Sequence, residues 1–173
     1  MSKLIQGRKA DLDGLECSNQ IIHFLEELPL DLVEILNLIC QNGGGVWIVG
    51  GAVRDWMIGH KPSDIDIAVD LTPEEMLEIF NDAILTGEEF GTVSLRGKNC
   101  LYQATTLRTD GEYIDGRRPE NVTWGKSLKE DLERRDFTIN AMAIDVARKL
   151  LYDPHNGRTD ISRGLIRAVG NAH

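Results

Sequence analysis

Residues 47–70 read WIVGGAVRDWMIGHKPSDIDIAVD: an apolar run ends in two glycines, and two aspartates separated by one isoleucine follow thirteen residues later. The apolar run predicts a short buried strand, and the residues behind the glycines predict a short helix that ends at Gly59. The alternation in residues 64–70 predicts a second strand, with Asp64 and Asp66 on one face and the isoleucines on the other. The order strand, glycine turn, helix, strand indicates an α/β domain.

The glycine turn and the aspartate pair both suit phosphate chemistry. Gly50 and Gly51 stand between a strand and a helix, where bare backbone N–H groups and the helix dipole favour an anion, and Arg54 adds a guanidinium group one turn later. The Cα atoms of Asp64 and Asp66 would lie about 6.6 Å apart on a strand, which suits two carboxylates that converge on Mg²⁺. Tight packing is the alternative for the glycines, and a solvated strand edge is the alternative for the aspartates.

The rest of the chain predicts further helices and strands in one mixed α/β domain with a small, mixed sheet. Turn-forming and charged residues predict a loop over residues 108–125. A capping box at Ser127 and Glu130 predicts a helix that runs on through residues 134–147. The remaining signals are a helical period over residues 30–41, a capping box at Thr72 and Glu75 with Pro73 between them, and two strands, 91–97 and 100–108, joined as a hairpin.

Composition limits the classes of protein that the chain can belong to. Its 173 residues suit one domain, and no apolar run is long enough to span a bilayer. The N-terminus lacks the pattern of a secretory signal or transit peptide, so we expect a cytoplasmic location without membrane contact. Three scattered cysteines and four histidines show no disulfide or zinc pattern.

The net charge of −9 is unevenly distributed along the chain. Residues 1–95 contain 5 Lys and Arg against 17 Asp and Glu, whereas residues 96–173 contain 14 against 11. A polyanion would therefore meet the second half of the chain or a partner chain, and attraction to the surface as a whole should be weak.

Four stretches resemble the catalytic head of class II CCA-adding enzymes and bacterial poly(A) polymerases, in the polymerase β-type nucleotidyltransferase superfamily. They occur in family order and at family spacing, within residues 28–170. They are VGGAVRDWMIGHKPSDIDIAVD (49–70), ATTLRTDGEYIDGRRPENVTW (104–124), LKEDLERRDFTINAMAID (128–145) and LYDPHNGRTDISRGLIRAVG (151–170). The resemblance implies an α/β nucleotidyltransferase head with a small mixed sheet flanked by helices.

The resemblance also implies roles for individual residues. Asp64 and Asp66 would bind catalytic Mg²⁺ ions. The residues that would contact the nucleotide are Gly50, Gly51, Arg54, Arg135, Asp136 and Asn140. The family's flexible loop, which is needed when the incoming base changes from C to A, would include Arg108, Asp110, Arg117 and Arg118. A helix through residues 135–140 would place Asp136 and Asn140 on one face, although Arg134, Arg135 and Asp136 could instead form a surface ion-pair network.

The sequence departs from the family pattern at two points. The family normally has a third active-site glutamate where this chain has Gln103, so we expect weaker metal binding and reduced activity. The resemblance assigns residues 28–173 to the head and finds no neck, body or tail, so that a separate neck or body chain is a possible partner. Residues 1–27 form an N-terminal extension whose role stays open.

We therefore expect template-independent addition of CMP and AMP, from CTP and ATP, to the 3′ end of tRNA. The related alternatives are a poly(A) polymerase or an enzyme that adds only A or only CC, the last being disfavoured by the full-length flexible loop. An alternative from another class is a non-catalytic module that binds a nucleotide.

Overall fold

The computed structural model describes residues 3–87, 91–109 and 123–170. Its helices are α1 (Asn19–Glu26), α2 (Leu30–Gln41), α3 (Gly51–Met57), α4 (Pro73–Ile79), α5 (Leu128–Glu133) and α6 (Gly157–Ser162). Its strands are β1 (Leu15–Glu16), β2 (Val46–Val49), β3 (Asp66–Val69), β4 (Ile84–Gly87), β5 (Thr92–Arg96), β6 (Leu101–Thr106), β7 (Arg108–Thr109), β8 (Thr123–Trp124), β9 (Ala143–Asp145) and β10 (Leu150–Tyr152). None of these helices is both long and apolar enough to span a bilayer.

Eight strands form one mixed sheet in the order β1-β10-β9-β2-β3-β6-β5-β4. The β3–β6 pair is parallel and the other neighbours are antiparallel. The prediction of a small mixed sheet flanked by helices is therefore confirmed. Strands β7 and β8 form a separate antiparallel pair inside the segment that the sequence predicts as a loop.

The two faces of the sheet are covered differently. Helices α1 to α4 pack on one face, where Ile48, Ile67 and Ile144 of the sheet belong to the larger apolar cluster. On the other face, a smaller cluster joins Val49, Ala68 and their neighbours to Leu128 and Leu132 of α5. Because α5 is short, part of this second face stays open, and the polar side chains of β3, β5 and β6 lie there.

Local sequence signals place several elements correctly. Helix α2 ends at Asn42, and β5 and β6 form the predicted hairpin. Thr72 caps α4 with a complete capping box: its hydroxyl accepts from the Glu75 N–H, and the Glu75 carboxylate accepts from the Thr72 N–H.

The predicted long helix after Ser127 is wrong. Helix α5 ends at Glu133, and the chain continues through an extended Phe137 into a 3₁₀ turn over Thr138–Asn140 and then β9. Pairing with the chain's end causes the change, because the Thr138 N–H donates to the Arg167 carbonyl at 3.0 Å and the Val169 N–H donates to the Asp136 carbonyl at 2.9 Å. These long-range bonds outweigh the helical preference of the local sequence.

Residues from the N-terminal segment pack against the rest of the domain. Cys17, Ile21 and Leu25 belong to the larger apolar cluster, and β1 adds a strand at the edge of the sheet next to β10. The Arg8 guanidinium forms an ion pair with the buried Asp70 at 2.8 Å. Residues before position 28 thus contribute to the same core as the sheet.

Candidate active site

The glycine turn between β2 and α3 has a backbone that favours glycine. Gly50 has φ 71° and ψ −133°, a conformation that side chains rarely allow, and it stands immediately before the first residue of α3. Its carbonyl accepts from the Arg54 N–H at 3.3 Å. The conformation therefore ties the end of β2 to the start of a helix, and the turn carries no side chain of its own.

Asp66 lies beside this turn, and Asp64 lies two residues before it in the chain. Asp66 is the first residue of β3 and pairs with Val49 of β2, the residue before Gly50. Asp64 precedes the strand, so the prediction that both residues lie within it is wrong for Asp64. Pairing of β3 with β2 begins at Asp66, and the Lys61-Pro62-Ser63 turn occupies the residues just before Asp64.

The surroundings of Asp66 change the pKa of its carboxylate. Burial raises the pKa of Asp66, the negative charge of Asp64 raises it further, and the positive charge of Arg135 opposes both effects. Although the side chain of Asp66 is exposed, protein therefore surrounds its carboxylate closely enough to disfavour the charged form. A carboxylate whose negative charge is disfavoured by burial and by a neighbouring carboxylate is a suitable environment for a divalent cation.

Gln103 stands next to Asp66, because β3 and β6 pair in parallel with these two residues in register. Its side-chain oxygen accepts from the hydroxyl of Ser94 at 3.1 Å and from that of Thr86 at 3.4 Å. The residue that the resemblance assigns to a third carboxylate therefore lies beside Asp66 in the sheet, and its amide oxygen is held by two hydroxyl groups.

Hydrogen bonds join α3 to the 3₁₀ turn. The Arg54 Nη1 donates to the Asn140 side-chain oxygen at 3.0 Å, and its Nε donates to Asp55 at 3.3 Å. Asp136 lies between α5 and the 3₁₀ turn, and its carboxylate accepts from the Phe137 N–H at 2.7 Å. The prediction that Asp136 and Asn140 share one helical face is therefore wrong, since the chain between them is extended and then 3₁₀.

Arg135 extends from the end of α5 to the glycine turn. A Cβ atom built on Gly50 would lie 3.5 Å from the Arg135 Nη1. The Nη2 of the same guanidinium group donates to the Asp131 carboxylate at 3.4 Å. Of the predicted loop residues, Arg108 lies in β7, whereas Asp110, Arg117 and Arg118 lie outside the described residues.

Sequence reasoning missed three residues of this region, namely Thr86, Ser94 and Asp131. Ser94 was detectable, because alternation along β5 places it on the face opposite to Val93 and Leu95. Asp131 was hidden by the prediction of one long helix, in which it would have been an ordinary surface residue.

The donor set suits a metal bound by two carboxylates. Within residues 3–87, 91–109 and 123–170, no group of three or more His, Cys, Asp or Glu side chains is arranged to hold a metal ion. Asp64 and Asp66 with the amide of Gln103 would supply oxygen ligands, which is the type that Mg²⁺ prefers.

A mixed sheet with a glycine turn beside a carboxylate pair defines the class of nucleotidyltransferase head domains. Comparison with known proteins gives the family: the model of the Poly A polymerase head domain matches residues 46–167, and the chain belongs to that family.

Relatives and solved structures agree with this assignment. A CCA-adding enzyme of Staphylococcus aureus is 46% identical over 138 residues, which are 80% of this chain and 34% of that protein. One from Listeria monocytogenes is 45% identical over 149 residues, 86% of this chain and 36% of that protein. The chain thus spans about a third of the length of these relatives.

Two of the solved structures that resemble the chain contain a substrate-related molecule. The CCA-adding enzyme of Bacillus stearothermophilus in complex with CTP superimposes with a TM-score of 0.71 at 40% identity, covering 82% of this chain and 33% of that one. The Thermotoga maritima CCA-adding enzyme complexed with tRNA has a TM-score of 0.66 at 27% identity, covering 92% and 37%.

Proposed function

We propose that this chain is the catalytic head of a nucleotidyltransferase that adds CMP and AMP to the 3′ end of tRNA. The observation that carries the proposal is the position of Asp66: it lies next to the glycine turn and in register with Gln103, and both Asp64 and Arg135 influence its pKa. The relatives' names and the CTP and tRNA complexes support the choice of substrates.

Each group of residues has a distinct part in the proposed reaction. The backbone at Gly50 and Gly51 gives the phosphates of CTP or ATP an approach without side chains. The guanidinium of Arg135 faces the same turn and would balance phosphate charge. The hydrogen bond from Arg54 to Asn140 joins α3 to the 3₁₀ turn.

Asp64 and Asp66 would hold the divalent ions, and we assign these as Mg²⁺ because the ligands are carboxylate and amide oxygens. When bound, such ions supply a Lewis acid that lowers the pKa of the attacking 3′-hydroxyl and stabilises the departing pyrophosphate. The protein's own contribution is to position the triphosphate and the two carboxylates, with the positive charge of Arg135 partly offsetting the burial that raises the pKa of Asp66.

The test uses Asp64→Asn and Asp66→Asn, with Asp82→Asn as a control at an exposed carboxylate in the turn after α4. Calorimetric titration with CTP and with ATP, in Mg²⁺ and in EDTA, measures binding. Incubation with tRNA that lacks its 3′ CCA measures incorporation, with each nucleotide supplied separately. We expect loss of one charged metal ligand to cost several kcal/mol in the transition state, or on the order of a thousandfold in rate.

The outcome that contradicts the proposal is Mg²⁺-dependent nucleotide binding that Asp64→Asn and Asp66→Asn leave unchanged. Incorporation of ATP alone, repeated many times, would instead indicate poly(A) synthesis. Incorporation of only C or only A would indicate a partial CCA enzyme.

Gln103 favours a second candidate, a head that binds nucleotides without catalysis, because an amide carries no charge toward the cation site. Binding of Mg²⁺ and ATP without extension of tRNA, also after addition of a relative's neck and body domains, would support this candidate.

A further inference from the structure

Helix α5 contains a buried carboxylate that contacts two arginines. Asp131 is 2% exposed, and its Oδ1 accepts from the Arg134 Nη2 at 3.0 Å while its Oδ2 accepts from the Arg135 Nη2 at 3.4 Å. Two guanidinium groups held close together would repel each other without this shared carboxylate. Asp131 therefore stabilises an arrangement in which both arginines stay beside α5.

Arg135 uses opposite sides of its guanidinium group for two contacts. Nη2 bonds to Asp131, and Nη1 lies against the glycine turn, 3.5 Å from the position that a Cβ of Gly50 would take. The group is thus aimed at the place where the proposed function puts the triphosphate. An arginine that is already oriented loses less conformational freedom when phosphate binds.

The N-terminal segment fixes the start of α5. The carboxylate of Asp11 accepts from the Ser127 hydroxyl at 2.5 Å and from the Lys129 N–H at 3.1 Å, and the Ser127 oxygen accepts from the Glu130 N–H at 3.1 Å. Because a helix of six residues has little stability of its own, these bonds and the buried Leu128 and Leu132 hold it in place.

We propose that Asp131 is a positioning residue that orients Arg135 toward the nucleotide phosphates, and that Asp11 secures the helix on which Asp131 lies. The proposal rests on the proposed function for its ligand, but the orientation of Arg135 is a property of the free protein. Residues 3–13 would then contribute to the site at a distance, through hydrogen bonds to α5.

The first experiment measures this orientation without a nucleotide. Side-chain ¹⁵N relaxation of arginine Nε–H groups reports whether Arg135 is rigid. Asp131→Asn should make the Arg135 signal mobile, with the protein still folded. Asp145→Asn is the matched control, because Asp145 is 4% exposed and pairs with Arg148 at 2.9 Å, three residues further along the chain, as Asp131 does with Arg134. It should mobilise Arg148 and leave Arg135 rigid.

The second experiment is a double-mutant cycle on affinity for ATP with Mg²⁺, using Asp131→Asn, Arg135→Ala and the double variant. Loss of one charged partner should weaken binding by about tenfold in the single Asp131→Asn variant. If Asp131 acts through Arg135, the same change in the Arg135→Ala background should alter affinity by less than about twofold. Fully additive losses would show that Asp131 has only a general structural role, and would overturn the proposal.

Asp11→Asn provides a variant that leaves both Asp131 and Arg135 in place. It should weaken ATP binding by roughly two- to fivefold and increase Arg135 mobility, since one end of the short helix loses a charged acceptor. Unchanged relaxation and affinity would remove Asp11 from the mechanism. If the wild-type chain bound no ATP, the proposed function would fail. The relaxation measurement would still decide the role of Asp131, because an Arg135 side chain that stays rigid in Asp131→Asn would contradict the proposal that Asp131 orients it.

Discussion

Replacement of the two neighbouring glycines by alanine tests the geometry of the turn. Gly50 has φ 71° and ψ −133°, whereas Gly51 is the first residue of α3 and has no positive φ. A Cβ on Gly50 would stand 3.5 Å from the Arg135 Nη1, and a Cβ on Gly51 would stand 3.3 Å from the Arg54 Nη2. The two substitutions add the same methyl group, but at Gly50 the backbone has a positive φ and at Gly51 it does not.

The expected cost differs because the strain at Gly50 lies in the main chain. An L-residue forced into this region costs about 1–3 kcal/mol, and nothing in the turn can relieve it without moving β2 or α3. At Gly51 the contact is with the end of a flexible side chain, and alanine favours the helix by up to about 1 kcal/mol. We therefore expect Gly50→Ala to be less stable than Gly51→Ala by roughly 2–3 kcal/mol.

Thermal and urea denaturation of both variants measure this difference. For a chain of this size, 2 kcal/mol corresponds to a fall in Tm of about 4–8 °C. Titration with ATP and Mg²⁺ adds a functional readout, since strain at Gly50 would move the backbone that the proposed function places against the phosphates. Equal stability of Gly50→Ala and Gly51→Ala would refute the reasoning, because the turn would then not require a glycine conformation.

Three further predictions concern the metal position, the pH dependence and a helix cap. Gln103→Glu should raise Mg²⁺ affinity by about tenfold and increase the rate of nucleotide incorporation, because it adds a negative charge next to Asp66. Calorimetry measures the affinity and steady-state kinetics measures the rate. No gain in either would mean that Gln103 is not at the metal position. Burial and Asp64 raise the pKa of Asp66 above its ordinary value of 3.8. Mg²⁺-dependent nucleotide binding should therefore decrease as the pH falls through this raised pKa, because the carboxylate becomes protonated. By the same linkage the ionised Asp66 destabilises the metal-free fold above that pKa, so Asp66→Asn should raise the Tm at neutral pH and lose this gain in acid. Thr72→Ala should cost about 1 kcal/mol through loss of the capping box, measured by urea denaturation, with ATP affinity unchanged.

Local signals sufficed wherever an element depends on its own residues. The helical period of α2, the capping box of α4 and the β5–β6 hairpin are each encoded in one short continuous stretch of the chain and occur as predicted. Each has its start or its turn marked by residues with a known conformational preference. Such elements need no information from distant parts of the chain.

The region after Ser127 could not be predicted in this way. The stretch through residues 134–142 has enough helix-forming residues to continue α5, but the backbone of Asp136 and Thr138 bonds to residues 167–169 instead. The Thr138 hydroxyl also donates to the buried Asp160, which lies on α6. Contacts between segments so far apart in sequence leave no local pattern.

In the candidate site, too, local features could be predicted from the sequence and long-range contacts could not. The spacing of Asp64 and Asp66 predicted a carboxylate pair beside the glycine turn; the structure places Asp66 next to the turn, and Asp64 lies near enough to Asp66 to raise its pKa. The pairing of Asp66 with Gln103, however, follows from the parallel neighbours β3 and β6, and strand order cannot be obtained from alternation alone. Only the resemblance to a known family indicated that position 103 belongs to the same site as Asp66.

The charges of the domain explain why the site must rely on short-range contacts. Many of the arginines are paired with carboxylates, so they add little to a long-range field that could attract RNA. These pairs are Arg8–Asp70, Arg54–Asp55, Arg134–Asp131, Arg135–Asp131, Arg148–Asp145, Arg158–Asp153 and Arg167–Asp160. With a net charge of −9, phosphate oxygens gain stabilisation only where a guanidinium group or a bound cation touches them directly. Arg135 at the glycine turn and the ions held by Asp64 and Asp66 would be such groups, and this is why the orientation of a single arginine by Asp131 should have a measurable effect on nucleotide affinity.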